Sequence, residues 1–488
     1  MIDDRVGEEQ CRRAVEVALG AGASYADARL VDLESEHLAV RDGEVHGVGQ
    51  TASLGLGVRV VHHGCWGFAA TGELGPQAVD GAARLAVEVA EAGVRSRRTS
   101  VRLADVEPVE ATWATPIVED PFAVALDAKL ALLVTATTAM LEVGGVTQAE
   151  ARQHAWRRQS RFVSSEGANI AQTIVQCGAG ISATAVGEAE TQTRSYPNSF
   201  GGDFGSEGYE LVRRLDLPGH APRVAGEAVE LLAAPTCAAE TTTLVLDGSQ
   251  VALQVHESIG HPVELDRVLG MEAAYAGTSF LAPSDAGRLR YGSPHLHVVA
   301  DATSPAALGT FGYDDEGVPA TSTPIISDGV FRGFLSSRET AAEVGLSHSG
   351  ATVRAQSWAH LPLIRMTNVS LQPGTAASVD ELLEGIERGL YLETNRSWSI
   401  DDRRVDFQFG TEWGREIRHG RLGRVVRNGS YAGRTLPFWA SLDAVGGPAL
   451  WKAWGLPNCG KGQPGQVGYV AHGAAPARFR DVQVGGSR

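Results

Sequence analysis

Residues 255–265 read VHESIGHPVEL and place His256, Glu257 and His261 within six positions. They follow the apolar run TTLVL at 242–246, which is typical of a buried strand. The pattern predicts a strand followed by a helix that carries two imidazoles and a carboxylate. Such a set of side chains is the raw material of a hydrolytic metal centre.

The two histidines lie at positions i and i+5, a spacing that is unusual for a helical metal motif. Two side chains at i and i+4 lie about 40° apart around a regular helix, whereas at i and i+5 they diverge by about 140°. A π-type turn with i→i+5 hydrogen bonding would return both rings to one side. Gly260 and Pro262, which loosen or end a helix, flank His261. We therefore expect a distorted helix here; the alternative is an ordinary helix end with two incidental histidines.

The third ligand of such a site stays open at this point. A catalytic zinc usually takes three protein ligands and leaves its fourth position to water. One candidate is a downstream carboxylate, Glu264 or Glu272, and the other is the thiol of Cys459 in the loop PNCGKG. A thiolate binds zinc strongly, although cysteine is also often a buried, inert residue.

Composition limits the class of protein. The chain has 488 residues, 43% of them hydrophobic, and is long enough for two or three compact units. It has no apolar run of about 18 residues that would span a bilayer, and its acidic N-terminus lacks a secretory pattern. Five scattered cysteines argue against a disulfide framework. We expect a cytoplasmic protein without a membrane partner.

The charge balance disfavours nucleic acid as a partner. The chain carries 58 acidic and 42 basic residues, for a formal net charge of −16. A protein this acidic binds phosphate backbones poorly, and its basic clusters are short enough to be solvated surface.

The periodicity of the chain predicts the α+β class. Residues 1–235 are expected to form an N-terminal helix and antiparallel-sheet domain, with 1–115 and 116–235 as possible subdomains. Turn signals predict hairpins at Asp42-Gly43 and His63-Gly64. Long alternating strands indicate an open sheet with a solvent side. The remaining expectations for this half are helices at 8–20, 76–92, 127–141 and 223–234, long strands at 146–164 and 170–187, an irregular connection at 96–121 and a mobile loop at 196–208.

Residues 236–488 are expected to form a β-rich C-terminal domain that carries the metal-binding helix. A further hairpin is predicted at Asp328-Gly329. The predicted elements are strands at 296–300, 363–371, 391–395 and 404–412 and short helices near 338–344 and 379–388.

The motifs together resemble the TldD/PmbA family of metallopeptidases, specifically its catalytic TldD-type branch. The likeness covers nearly the whole chain, and its specific part is HESIGH combined with the Cys-Gly-Lys loop near the C-terminus. The segments that carry it are GASYADAR at 22–29, GVRV at 57–60, GCWGFA at 64–69, HESIGH at 256–261, GTSF at 277–280, RMTNVSLQPG at 365–374 and NCGKG at 458–462.

The resemblance implies that His256, His261 and Cys459 bind one zinc ion and that Glu257 is the general base. It also implies an active subunit that pairs with a paralogous, non-catalytic partner as a heterodimer, or that forms a homodimer, and that degrades unfolded or short peptides. Lys461, beside Cys459, is expected to orient a substrate carbonyl or carboxylate, or else to serve only the structure of its loop.

Two other functions fit the same residues. One is a tailoring hydrolase for a peptide-derived or amide-containing metabolite. The other is a non-catalytic subunit whose zinc stabilises the fold. An open metal position beside Glu257 argues against the second, because structural zinc sites are normally closed by four ligands.

Several further polar residues are expected to be structural. Ser258 lacks the G-x-S-x-G context of a nucleophile. His62 and His63 precede a hairpin glycine and are expected to be exposed turn residues. His295 and His297 alternate on a half-exposed strand.

Overall fold

Tight hairpins organise the first sheet of the computed structural model, which describes residues 4–275 and 277–486. Strands β1 (Tyr25–Arg41) and β2 (Glu44–His62) turn at Asp42 and Gly43, whose φ angles are 53° and 81°. Two consecutive positive φ angles are what a two-residue type I′ turn requires. The hairpins predicted at His63-Gly64 and Asp328-Gly329 are confirmed with the same backbone conformation.

The N-terminal half combines helices with one large sheet. The sheet has the order β3-β2-β1-β5-β6-β4, and both β7 and β8 also pair with β6. The elements are α1 (Asp4–Gly20), β1 (Tyr25–Arg41), β2 (Glu44–His62), β3 (Cys65–Thr71), α2 (Pro76–Gly93), β4 (Glu110–Ala114), α3 (Leu126–Leu141), β5 (Val146–Ser164), β6 (Asn169–Val186), β7 (Thr191–Tyr196), β8 (Asp203–Gly205), α4 (Glu210–Arg214) and α5 (Leu217–Ala233).

Two apolar cores lie against this single sheet. One core joins α1 and α2 to β1, β2 and β3. The other joins α3, α4 and α5 to β5 and β6. The strands of both halves are hydrogen-bonded to each other through β1 and β5, so the sheet is continuous across residue 115.

Three local expectations for this half are wrong. The stretch 96–121 is not wholly irregular, because β4 lies in it and pairs in parallel with β6. The stretch 196–208 contains the buried strand β8, and the Asp203 carboxylate there accepts a hydrogen bond from the Gly455 backbone N–H. Helix α5 begins at Leu217 rather than 223, because the Asp216 side chain caps it by accepting from the Gly219 N–H.

The polar face of the sheet is partly covered, so the expected solvent side is also wrong in part. Arg29 Nη1 lies 2.8 Å from Asp315 Oδ2, and Arg158 Nη2 lies 2.9 Å from Asp315 Oδ1. Arg59 Nη1 lies 3.1 Å from Glu316 Oε1. These ion pairs attach the sheet to the C-terminal half of the chain.

The C-terminal half is β-rich, as expected. The elements are β9 (Glu240–Leu246), α6 (Gly248–Val255), α7 (Leu265–Val268), β10 (Val298–Asp301), β11 (Ser322–Ser327), β12 (Val330–Phe331), α8 (Arg338–Glu343), β13 (Val353–Arg354), β14 (Leu363–Ile364), β15 (Val369–Leu371), α9 (Val379–Leu383), β16 (Arg388–Ile400), β17 (Asp406–Arg418), β18 (Arg421–Val426), β19 (Gly429–Arg434), α10 (Thr435–Ala440), β20 (Leu442–Val445), β21 (Lys452–Lys461), β22 (Gln466–Ala474) and β23 (Ala477–Gly486).

The largest C-terminal sheet closes on itself. Strand β16 pairs with β9 on one edge and with β17 on the other, so β16, β9, β23, β19 and β17 form a ring. The single strand predicted at 363–371 is wrong, because β14 and β15 lie in different sheets. Among the described residues, no helix has the length and apolar character needed to cross a bilayer.

Helix α6 connects this ring to the motif and is buried on every side. It begins where the Asp247 carboxylate accepts hydrogen bonds from the backbone N–H groups of Ser249 and Gln250. The same carboxylate accepts from the Thr394 N–H on β16. One capping residue therefore fixes the helix both at its own start and against the ring.

Candidate metal centre

The motif lies in a π turn that continues α6. The turn spans His256–Gly260, and the His261 N–H donates to the His256 carbonyl at 3.1 Å. This i→i+5 bond brings both rings to one side, with centroids 4.7 Å apart and planes at 82°. The predicted distortion of the helix is confirmed.

The sequence around the turn explains why the helix widens there. The Ser258 hydroxyl donates to the Gln254 carbonyl at 2.6 Å, a back-bond that loosens helices, and it accepts from Trp439 Nε1 at 2.9 Å. A Cβ at Gly260 would lie 2.1 Å from Met366 Sδ, so a larger residue would have to displace that side chain. Ser258 is thus engaged in packing, in line with its expected structural role.

A chain of hydrogen bonds fixes the tautomer of His256. His472 Nδ1 lies 2.7 Å from the Val369 carbonyl, which only accepts, so this nitrogen carries the proton. His472 Nε2 is then an acceptor, and His256 Nδ1 donates to it at 2.7 Å. The free lone pair of His256 consequently lies on Nε2.

His261 is oriented in the same way by a carboxylate. Its Nδ1 lies 3.0 Å from Glu264 Oε2, which leaves Nε2 as the free nitrogen. Burial alone would raise the pKa of Glu264, but Lys461, His261 and Arg267 hold it well below its usual range. Glu264 is therefore an ionised hydrogen-bond partner of His261. This role differs from that of a third metal ligand, for which Glu264 and Glu272 were the candidate carboxylates.

Lys461 and Glu272 belong to the surroundings of the site. Lys461 is buried, and its Nζ lies 2.8 Å from Asp266 Oδ1 and 3.3 Å from Glu264 Oε1. These contacts favour the structural alternative for Lys461 over contact with substrate. The Glu272 carboxylate accepts a hydrogen bond from the Gly462 N–H in the same loop.

Cys459 lies on β21, in the β21–β22 hairpin. Its Sγ lies 4.0 Å from His261 Nε2. Burial would raise the pKa of this thiol, but the Arg365 guanidinium and the His261 ring hold it below its ordinary value. A lowered thiol pKa favours the thiolate, which is the form that binds metal.

The three side chains fit a zinc ion. Their ligand atoms all lie within 4.8 Å of one another. Tetrahedral zinc with ordinary Zn–S and Zn–N distances needs an S···N separation of about 3.6 Å, close to the separation found between Cys459 and His261. Burial lowers the pKa of His256 to about 4 and also lowers that of His261, so both rings are neutral ligands at neutral pH.

The cluster opens into a cavity. A space of about 370 Å³ is lined by the three candidate ligands together with Glu257 and Arg404. It adjoins a larger space of about 830 Å³, because Phe200, Trp398 and Asn458 line both. Glu257 Oε2 lies 2.6 Å from Arg404 Nη1.

Three residues of the site were missed from the sequence: His472, Arg365 and Arg404. His472 and Arg404 contact the motif from 216 and 147 positions away. Neither lies in a spacing pattern that indicates a ligand. Their contribution depends on strand register, which short motifs do not encode.

A second group of possible ligands lies at the surface. Among the described residues, His62, His63 and Glu91 form the other such group. The His63 and Glu91 side chains are 65% and 60% exposed. The His62 side chain is only 13% exposed, and its Nδ1 bonds to the Gly22 carbonyl, so the expectation of an exposed turn residue is wrong for His62.

The donor set is that of a candidate metal centre, and comparison with known proteins gives the family. Three domain models match the chain: the PmbA/TldA metallopeptidase domain 1 at 26–90, the central domain at 119–234 and the C-terminal domain at 239–486. The chain belongs to the PmbA/TldD metallopeptidase family.

Curated relatives carry matching names. A metalloprotease of Synechocystis is 31% identical over 95% of this chain and 95% of its own length. A metalloprotease of Methanothermobacter thermautotrophicus is 29% identical over 95% of this chain and 96% of its own. A protein of Saccharolobus solfataricus named as a zinc metalloprotease TldD homolog is 29% identical over 50% of this chain and 51% of its own.

Solved structures share the fold. A putative modulator of DNA gyrase from Thermotoga maritima superposes with a TM-score of 0.76 at 17% identity, covering 98% of this chain and 99% of that one. TldE from Thermococcus kodakarensis superposes with a TM-score of 0.74 at 13% identity, covering 98% and 100%.

Replacing the thiol is expected to lower metal content. Cys459→Ser removes the strongest donor, so purified protein should retain less than one zinc per chain after dialysis, measured by atomic absorption. His63→Ala, which removes a ligand of the surface group only, is the matched control. Equal loss of zinc from both variants would contradict the assignment.

Removing the partner of His256 is expected to weaken the site without removing a ligand. His472→Leu leaves the His256 Nδ1–H unpaired and should weaken zinc binding by about 10–100-fold in a competition titration with a chelator. His472→Gln, whose amide oxygen accepts a hydrogen bond, should recover much of the affinity. Unchanged affinity in His472→Leu would rule out the orienting role.

Proposed function

We propose that the chain is a zinc-dependent peptidase that hydrolyses unfolded or short peptides, with one zinc held by His256, His261 and Cys459 and with Glu257 as general base. The carboxylate of Glu257 lines the same open cavity as the three candidate ligands, and this observation carries the proposal. The structural-zinc alternative is less favoured, because the group of candidate ligands found at this opening among the described residues has three members, whereas structural zinc sites are normally closed by four.

The residues of the site divide the chemistry between them. A zinc ion held by His256, His261 and Cys459 would supply Lewis acidity, which would lower the pKa of water to about 7 and polarise a carbonyl. Glu257 accepts a proton from the attacking water while the new C–O bond forms. The same carboxyl group then delivers that proton to the amide nitrogen as the C–N bond breaks.

The edge of β16 supports recognition of an extended peptide. Residues 397–400 pair with β17 on one edge, and no described strand pairs with their other edge. Trp398, Ser399 and Ile400 line the cavity at the candidate ligands. An added strand would bind through its backbone, with little dependence on side chains.

A partner subunit and a cytoplasmic location are also proposed. Residues 45–54 of β2 contain no Asp, Glu, Lys or Arg, and β1 is the one described strand that pairs with them. An uncharged, unpaired edge of this length favours pairing with another chain, either a non-catalytic paralogue or a second copy. The five cysteines are all free thiols, which is typical of the reducing cytoplasm.

Glu257→Gln is expected to abolish peptide cleavage while zinc stays bound. Loss of a general base typically costs about 10²–10⁴-fold in rate. The measurement is kcat on an unstructured fluorogenic peptide, with zinc content determined on the same sample. Glu387→Gln, at an exposed carboxylate, serves as the control, and wild-type activity in Glu257→Gln would eliminate the assigned role.

Backbone methylation of the substrate is expected to impair binding more than changes of its side chains. N-methylation removes a backbone N–H donor that strand addition uses. A peptide methylated at alternate positions should therefore have a KM about tenfold higher, which corresponds to the loss of about one or two hydrogen bonds. Peptides with matched side-chain substitutions provide the comparison. Equal sensitivity to both kinds of change would exclude strand addition.

A further inference from the structure

Among the described residues, Arg404 is the one arginine that lines the candidate metal cavity, and no lysine lines it. Its Nη1 lies 2.6 Å from Glu257 Oε2, and the two side chains are 16% and 8% exposed. The nearby Arg267 and Arg365 have other partners: Arg267 bonds to Glu264, and Arg365 donates to the Cys459 carbonyl. Arg404 therefore has a different environment from its buried neighbours.

The backbone holds Arg404 in an uncommon conformation. Its φ angle is 66°, in the left-handed region that few residues other than glycine adopt. The Arg404 N–H donates to the Asp401 carbonyl at 2.9 Å, and the Thr435 hydroxyl donates to the Arg404 carbonyl at 2.6 Å. These bonds keep the strained residue in place, as is common where a side chain is aimed at a functional site.

The Arg404 guanidinium also keeps unused hydrogen-bonding capacity. Within the described part of the chain, its Nε is buried without a hydrogen-bond partner, and its ion pair with Glu257 runs through Nη1. A buried donor without a partner is costly in a folded protein. The Arg404 side chain lines the candidate metal cavity, so the guanidinium N–H groups that do not bind Glu257 are suited to a partner that the substrate brings.

We propose that Arg404 is a catalytic residue that stabilises the oxyanion formed when water adds to the scissile carbonyl. This inference rests on the proposed peptidase function. Hydrogen bonds from a fixed guanidinium to a developing oxyanion are strong, because the donor is charged and already oriented.

In this role Arg404 lies next to the negative charge both before the water adds and after it has added. Before the reaction, the negative charge next to Arg404 lies on Glu257. As the water oxygen bonds to carbon, Glu257 accepts a water proton and becomes neutral, and the carbonyl π electrons move to the carbonyl oxygen. The anion has thus moved from Glu257 to the substrate, while the cation beside it has stayed.

The second half of the reaction restores the ion pair. The oxyanion electrons reform the carbonyl, the C–N bond breaks, and its electron pair goes to nitrogen, which takes the proton from Glu257. Glu257 is again an anion beside Arg404. The water atoms are divided between the new acid and the new amine, and no further reactant is needed.

A different role would be to bind the carboxylate at the C-terminus of the substrate. The two roles differ in which kinetic constant they affect. Stabilising an oxyanion lowers the energy of the transition state alone and therefore governs kcat, whereas binding a substrate carboxylate governs KM and needs a free C-terminus.

The test uses zinc-loaded protein and one unstructured peptide in two forms, with a free and with an amidated C-terminus. Arg404→Ala should lower kcat by about 10²–10³-fold on both peptides, with KM nearly unchanged. Added guanidinium should restore part of the rate, and Arg404→Lys should lie between Arg404→Ala and wild type. Arg403→Ala, at the exposed neighbouring position, should behave as wild type.

Binding measurements separate a catalytic role from a structural one. Arg404→Ala should weaken binding of a phosphinic transition-state mimic by a factor similar to its loss in kcat. Arg404→Lys is the control for folding, and its zinc content and melting temperature should equal those of the wild type. A rise in KM confined to the free-acid peptide, or an unchanged kcat, would overturn the inference. An inactive wild type would instead count against the peptidase function.

Discussion

The hydrogen bond from the His261 N–H to the His256 carbonyl is the interaction on which the site depends. In a regular helix the two rings would diverge by about 140° and would not meet at one ion. The wider turn has poorer backbone geometry, and the surroundings compensate for it: Ser258 bonds to Gln254, and the lack of a side chain at Gly260 leaves room for Met366. The metal site and the packing of the core thus constrain the same five residues.

The charged network behind His261 is better explained by the orientation of the His261 ring than by the stability of the fold. Glu264, Asp266, Arg267 and Lys461 are buried together, and their desolvation offsets much of the energy gained by pairing. An apolar cluster of the same volume would be at least as stable. It would, however, leave the His261 Nδ1–H without an acceptor, and then nothing would fix which nitrogen faces the metal.

The correct predictions rest on local sequence signals such as turn residues. The errors arise where contacts depend on the register between strands that are distant in the sequence. Asp42-Gly43 and Asp328-Gly329 specify their hairpins locally, and Gly260 with Pro262 permits the π turn in the motif itself. In contrast, His472 bonds to His256 across 216 positions, and β4 joins the first sheet by parallel pairing with β6. Neither contact leaves a periodic trace in its own segment. Strand register, rather than propensity, decides both.

One hairpin contributes to the candidate metal centre, to the groups that orient its side chains and to the adjoining cavity. Strand β21 carries Cys459, and β22 carries His472, which orients the candidate ligand His256. Asn458, next to the thiol, lines both cavities. A shift of this hairpin would therefore move a ligand, release the His256 ring and alter the cavity wall at the same time. Because the ladder of β21 and β22 fixes these three groups relative to each other, the geometry of the candidate metal centre and the shape of the adjoining cavity are physically coupled.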